Sequence, residues 1–279
     1  MGEEKRASRI ARLTAEFCEN PGRLFNLAHF AEMFGAAKST LSEDISVIRQ
    51  VFEARDFGRV ETIPGAAGGA RLVPRAAPEA VYRIAASLRD ELRQPWRVLP
   101  GGFIYMSDIV FSPLWCYKLG EIFAGLFYEA SPGCVMTVET KGIPVAMMTA
   151  WLMGVPLVVS RREGRATEGP SVSINYVSGS SRTIQRMSLP KMALQSGTRV
   201  LIVDDFLKGG GTVRGMSQLC AEFGATVVGA GVLVETNQPS SKLVQDYVAL
   251  LTFSGIDEES NSALVEISHR LRQKVGGSS

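Results

Sequence analysis

RVLIVDDFLKGGGT, residues 199–212, decides the reading of this chain. Residues 200–203 form a short apolar run of the kind that makes a strand buried on both faces. Two adjacent carboxylates follow, Asp204 and Asp205, then Phe206, Leu207, Lys208, three glycines (Gly209, Gly210, Gly211) and Thr212, before helical spacing begins at residue 213. Glycines let backbone N–H groups close around an anion, and a helix N-terminus adds the positive end of its dipole. The segment therefore predicts a phosphate site, with Asp204 and Asp205 placed to accept hydrogen bonds from a pair of ribose hydroxyls. A glycine-rich turn between strand and helix also serves as a plain tight connection. The acid pair favours a ligand, because neighbouring carboxylates repel and gain nothing unless they meet a partner.

Outward from this segment the pattern alternates. Strands are predicted at residues 103–105, 134–139, 157–160, 200–204 and 226–234, and helices at 114–127, 145–153 and 213–223. That alternation specifies an α/β fold with a central parallel sheet, whose ligands bind at the carboxyl ends of the strands. Residues 142–159 carry no charge and approach the length of a membrane span, but Pro144, Gly154 and Pro156 interrupt them. They read better as a short helix and a buried strand.

The first seventy-five residues are of another kind. Ile10, Leu13 and Phe17 recur at helical spacing. A second helix follows the N-cap Asn26 and stops at Gly35, and a third is capped by Ser39 and carries Leu41, Ile45, Ile48 and Phe52 on one face. Residues 59–63 and 71–73 flank a turn of glycine and alanine, as the strands of a hairpin do. Three helices and a hairpin form a winged helix-turn-helix. In a DNA reader of that design the start of the third helix enters the major groove, where Lys38, Ser39, Thr40 and Ser42 meet phosphates or base edges. Arg59, Arg71 and the amides around Gly68 and Gly69 would then meet phosphates from the hairpin. Small helical bundles with hairpins also serve as dimerisation or regulatory modules. The balance of eleven Lys and Arg against ten acids in residues 1–75 leaves both readings open.

Composition narrows the rest. Over 279 residues, 30 Lys and Arg face 28 Asp and Glu, so bulk charge announces neither a nucleic-acid nor a membrane partner. Four scattered cysteines without a C-x-x-C pair argue against a disulfide framework or zinc ribbon, and two histidines are too few for a histidine-rich metal site. No metal site is assigned. The N-terminus lacks the apolar core of a signal peptide, and a cytoplasmic location without membrane attachment is expected. Residues 76–94 read as a connecting amphipathic helix, free to pack on the following domain or on a second subunit. The polar tail from residue 256 is expected to end in disorder. The expected division is thus a winged-helix domain at 1–75, a connecting helix at 76–94 and a ligand-binding domain at 95–279.

VLIVDDFLKGGGT resembles the phosphoribosyl pyrophosphate (PRPP) signature of the type I phosphoribosyltransferases, in which two acids hold the ribose and the next loop holds the 5′-phosphate. ETKG, residues 139–142, is similar to that family's pyrophosphate loop, which implies a diphosphate site at Thr140, Lys141 and Gly142. The polar stretch 161–182 resembles the flexible loop covering the site, with Arg161, Tyr176 and Arg182. The stretch TEGPSVSINYVSGSSRTIQRMSL, with IPGAAGGAR and GGFIYMSDI, resembles one subgroup, the bacterial purine operon repressors, over nearly the whole chain.

The resemblance implies a DNA-binding repressor of purine biosynthesis genes without catalytic residues. It requires no cofactor and responds to PRPP, carried with Mg²⁺ on the diphosphate. Competition by guanosine tetraphosphate and a homodimer on a double-stranded operator are further implications. One departure stands out: Gly209 occupies a position where enzymes of the superfamily commonly carry threonine or another small hydroxyl residue. The alternative is a catalytically active purine phosphoribosyltransferase.

Overall fold

A computed structural model describes residues 4–54, 57–65, 68–163, 167, 169–177 and 183–276. The N-terminal part holds α1 (Arg6–Glu19), β1 (Phe25–Asn26), α2 (Leu27–Phe34), α3 (Lys38–Ala54), β2 (Phe57–Ile63) and β3 (Gly69–Ala76), with its sheet in the order β1-β3-β2. It is a winged helix around an aromatic core in which Phe25 stacks on Phe30 at 5.1 Å and Phe17 meets both rings edge-on. Asn26 caps α2, its side chain accepting the Ala28 N–H at 2.7 Å, and Gly35 ends it in the left-handed region. The third helix opens two residues before the sequence reading: the Leu41 N–H already bonds Ala37 O, so Ser39 lies in the first turn rather than at the cap.

A buried ion pair fixes α1 on α3. Asp44 is fully buried and accepts from Arg9, almost as buried, at 2.5 Å, and from the exposed Arg6 at 3.1 Å. The connecting helix α4 (Pro78–Leu92) starts with proline at its first turn and lays Val81, Ala85, Leu88 and Leu92 on the following domain, which resolves the choice left open by the sequence.

That domain continues with β4 (Val98–Leu99), β5 (Phe103–Ile104), α5 (Ser107–Val110), α6 (Pro113–Phe127), β6 (Cys134–Val138), α7 (Ile143–Met153), β7 (Leu157–Ser160), β8 (Ser171–Val177) and β9 (Ile184–Pro190). It ends with β10 (Arg199–Leu207), α8 (Gly211–Glu222), β11 (Thr226–Thr236), β12 (Val248–Asp257), β13 (Ser262–Ile267) and α9 (His269–Gly276). The central sheet runs β13-β12-β11-β10-β6-β7, parallel except for β13. Alternate residues of β10 face opposite cores: Leu201 and Val203 meet the side of α4, α6 and α7, while Val200 and Ile202 meet the side of α8. Strand order reverses between β6 and β10, so the crevice outside their carboxyl ends is where an open α/β sheet binds ligands. Among the described residues no helix is long and apolar enough to cross a membrane.

Two expectations change. Residues 103–105 do not join the central sheet. Left-handed Gly101 and Gly102 turn the chain, and Phe103–Ile104 pairs only with β4. The polar stretch after Arg161 is not all loop, since β8 and β9 pair antiparallel through seven residues each. The tail beyond residue 256 forms the end of β12, all of β13, and α9, which buries Leu271 and Val275, and its last residues, 277–279, on which the expectation of disorder falls, lie outside the described residues.

Removing one partner from a buried ion pair leaves an uncompensated charge. Asp44→Ala is therefore expected to destabilise the winged helix by ~3–5 kcal/mol, read as an earlier urea transition. Glu129→Ala, which removes an exposed acid from Arg59, is expected to cost less than ~1 kcal/mol.

Candidate functional site

Strand β10 carries both aspartates between its core residues Val203 and Leu207, and the pleat sends them in different directions. Asp204 is buried, only 4% exposed, whereas Asp205 is half-exposed. The Asp205 N–H donates to Asp204 Oδ1 at 2.9 Å. Burial, reinforced by the neighbouring Asp205 charge, holds the Asp204 carboxyl well above the usual carboxylate range.

The end of β6 arrives at the same place. A Cβ added to Gly142 would lie 2.5 Å from Thr137 Oγ1 and 2.9 Å from Asp204 Oδ1, so only glycine lets this loop rest on the acid. Thr140 and Lys141 are exposed beside it. Glu139, just upstream, accepts the Arg162 N–H at 3.0 Å and faces the Arg161 guanidinium at 3.4 Å, tying the loop to the chain beyond β7. Thr137 was not singled out in the sequence, and Glu139 entered it only as the head of the ETKG stretch. The Thr137 hydroxyl is fully buried and without a hydrogen-bond partner among the described residues.

The glycine loop closes the third side. Phe206 and Leu207 send their side chains into opposite cores and anchor its start. Lys208 is exposed and Gly209, Gly210 and Gly211 are buried. Gly210, at φ 81°, is the N-cap of α8. The carbonyls of Lys208 and Gly209 turn away to accept from Lys242 Nζ at 2.6 Å and the Leu243 N–H at 2.9 Å. The N–H groups opening α8 have no intrahelical acceptors, which makes the turn a cradle for a phosphate.

Above α8 stands Tyr176 of β8. A Cβ on Gly215 would touch its ring at 3.0 Å, its hydroxyl donates to Gln185 Oε1 at 2.9 Å, and Thr212 and Arg162 lie beside that hydroxyl. Tyr176 is thus pinned on a hairpin rather than carried by a loose loop. Arg161 is at the base of the same segment, and Arg182 lies outside the described residues.

In the winged helix, Lys38, Ser39 and Ser42 are exposed and Thr40 is half-buried at the head of α3, with the Ser42 hydroxyl donating to Lys38 O at 3.0 Å. The hairpin residues are engaged otherwise. Arg59 and Arg71 both grip Glu61, at 2.7 and 3.0 Å. Burial opposes ionisation of that carboxylate, but the two guanidinium groups outweigh it and hold its pKa below the ordinary range. Arg59 also reaches Glu129, and Arg71 lies over the ring of Tyr128, whose hydroxyl faces Glu61 at 3.4 Å. This cluster joins the hairpin to the second domain. Gly68 and Gly69 are buried as well: the Gly68 N–H bonds Gly65 O, and Gly69 pairs with Asn26, where any Cβ would strike Phe25 O. Their glycine identity answers to strand crowding, a correction to the reading of an open tip with free amides.

Residues 5–74 match the family model described as "Bacterial purine repressor, N-terminal", and residues 117–269 match the phosphoribosyl transferase domain. The purine biosynthesis transcriptional repressor PurR of Bacillus subtilis is 43% identical over 96% of this chain and 94% of its own length. The chain belongs to the PurR family of purine biosynthesis transcriptional regulators. Another PurR, that of Lactococcus lactis subsp. lactis, is named a transcriptional activator and is 38% identical over 97% of this chain and 100% of its own. The adenine phosphoribosyltransferase structure from Saccharomyces cerevisiae covers 60% of this chain and 98% of its own at a TM-score of 0.53 and 20% identity, a likeness of fold alone. Both of these PurR proteins are named as transcriptional regulators.

A carboxyl whose pKa is higher in the folded than in the unfolded chain holds its proton more tightly when folded. Its ionisation therefore opposes folding, increasingly as pH rises from the ordinary aspartate range through the raised value. Asp204→Asn removes that opposition. The expected result is a higher melting temperature than the parent at about pH 7, with the gap closing toward about pH 4, by scanning calorimetry.

Proposed function

We propose that this PurR-family chain is a DNA-binding repressor of purine biosynthesis genes whose second domain binds PRPP, and that PRPP lowers operator affinity. The proposed division is a winged-helix reader at residues 1–75, a connecting helix at 76–94 and an effector domain at 95–279. The observation that carries the effector reading is the meeting of buried Asp204, the Gly142 backbone and the glycine cradle at the sheet's switch point. Asp204 and Asp205 would take the ribose hydroxyls, residues 206–212 the 5′-phosphate, and Thr140, Lys141 and Gly142 the diphosphate, with Arg161, Tyr176 and Arg182 covering them. Mg²⁺ would arrive on the diphosphate and keep several waters, as that ion usually does. A guanosine tetraphosphate bears the same chemistry, a ribose with diphosphates, and would compete.

The reader would present Lys38, Ser39, Thr40 and Ser42 to the DNA. Arg59, Arg71, Gly68 and Gly69 drop out of that surface, because they are occupied in the domain seam and in the hairpin's own strands. A homodimer would offer two such heads to a repeated or symmetric operator. The expected setting is the cytoplasm.

For PRPP to act, it must bind the DNA-free form better than the DNA-bound form, and a coupling of ~1–3 kcal/mol changes operator affinity roughly 5- to 150-fold. The test is fluorescence anisotropy on an upstream region of a purine gene at fixed salt. Lys38→Ala is expected to weaken binding and reduce the salt slope by about one phosphate contact. Asp204→Asn is expected to bind DNA and ignore PRPP. A variant still released by PRPP as the parent is would contradict the ribose assignment. Nucleotide formed from PRPP and a purine base would favour the transferase alternative.

A further inference from the structure

The segment after β11 returns across the back of the glycine loop, and Lys242 is its contact point. An ammonium beside a phosphate cradle ordinarily faces the anion, as a point charge. This one faces the opposite side. Its Nζ donates to Lys208 O at 2.6 Å, to Thr236 O at 2.7 Å and to Thr236 Oγ1 at 3.3 Å, which uses all three of its protons on neutral oxygens. The next residue continues the clasp, with the Leu243 N–H on Gly209 O at 2.9 Å. Val244 then fills the space where a side chain on Gly210 would stand, 2.9 Å from that Cβ position.

A distant acid acts on that ammonium through its field. Glu235 pairs with Leu207 in the sheet register and accepts from the Tyr247 hydroxyl at 2.6 Å, Ser268 Oγ at 2.7 Å and Thr252 Oγ1 at 3.1 Å. It is fixed rather than free to approach the lysine; burial lowers the Lys242 pKa from its ordinary value, the Glu235 field opposing that shift and the Arg270 charge adding to it.

A peptide unit has one carbonyl and one N–H pointing in opposite directions. Fixing the Lys208 and Gly209 carbonyls outward therefore fixes the N–H groups of Gly209 and Gly210 inward, toward the anion. We propose that Lys242 is a positioning residue for the 5′-phosphate cradle: it touches no ligand but holds the Lys208 carbonyl, beside the Gly209 carbonyl held by the Leu243 N–H, so that the amides converge. The inference rests on the PRPP reading and adds to it a residue outside the glycine motif.

The test is calorimetry on the full chain with three probes: PRPP with Mg²⁺, ribose 5-phosphate, and inorganic pyrophosphate. Ribose 5-phosphate reports on the glycine cradle, and pyrophosphate on the loop at residues 139–142. Lys242→Met keeps the apolar stem and removes the donors. It is expected to weaken PRPP and ribose 5-phosphate by roughly tenfold each, the loss of one charge-assisted hydrogen bond, while pyrophosphate changes by less than about twofold. Lys242→Arg, which can still reach the carbonyls with a cation, is expected to recover most of the loss. Unchanged ribose 5-phosphate binding in Lys242→Met would overturn the proposal, as would an equal loss for pyrophosphate. If Lys242→Met fails to fold, Lys242→Gln takes its place with the same criteria. A parent chain that binds none of the three probes would sink the effector reading itself, an outcome distinct from a parent that binds and a variant that binds equally well.

Discussion

A loop that is to hold an anion must turn its N–H groups inward, and every peptide unit so turned sends a carbonyl outward that needs a partner of its own. The second domain is organised around that constraint. Three consecutive glycines supply the backbone freedom, and Gly210 takes the left-handed conformation that starts α8. The outward carbonyls of Lys208 and Gly209 find Lys242 and the Leu243 amide. On the facing wall a glycine is required for a different reason: any side chain on Gly142 would press into Thr137 and Asp204. The acid so enclosed is unfavourable for folding at neutral pH. Such a cost is typical of groups kept for binding rather than for stability.

The winged helix is not tethered loosely to this site. The helix α7, of 11 residues and so ~16 Å long, begins beside Asp204 and ends at Gly154. Gly154 and Gly22 there pack backbone to backbone, with Cβ positions 2.6 to 2.7 Å from the opposing carbonyl oxygens. A second junction joins Glu61, Arg59 and Arg71 to Tyr128 and Glu129 at the end of α6. The chain from that end leads directly into β6, and Arg199 at the head of β10 donates to the carbonyls of Ala130 and Ser131. Both strands that end at the candidate site thus begin beside the reader's seam.

The parts legible in the sequence were those fixed by local chemistry. The strand, acid pair, glycine turn and helix of residues 199–222 follow from apolar runs and glycine placement, and the limits of α2 follow from Asn26 and Gly35. What stayed hidden depended on partners far along the chain. The β8–β9 hairpin is an exception, legible but missed: Val172, Ile174 and Tyr176 alternate with Ser171, Ser173 and Asn175 and face the same core as Met187 and Leu189. Arg59 and Arg71 look like wing cations until Tyr128 and Glu129, more than fifty residues away, draw them into the seam. Lys242 lies 34 residues from the carbonyl it holds, on a segment without regular structure. Thr137 looks like any strand threonine until its neighbours Gly142 and Asp204 are seen.

The central claim is that Asp204, the Gly142 loop and the glycine cradle together hold one phosphorylated sugar diphosphate. Isothermal calorimetry of the unaltered chain against PRPP and Mg²⁺ tests it most directly. The account predicts saturable heat with one PRPP per chain, displaced by guanosine tetraphosphate. No heat at millimolar PRPP, or binding that guanosine tetraphosphate leaves unaffected, would contradict it.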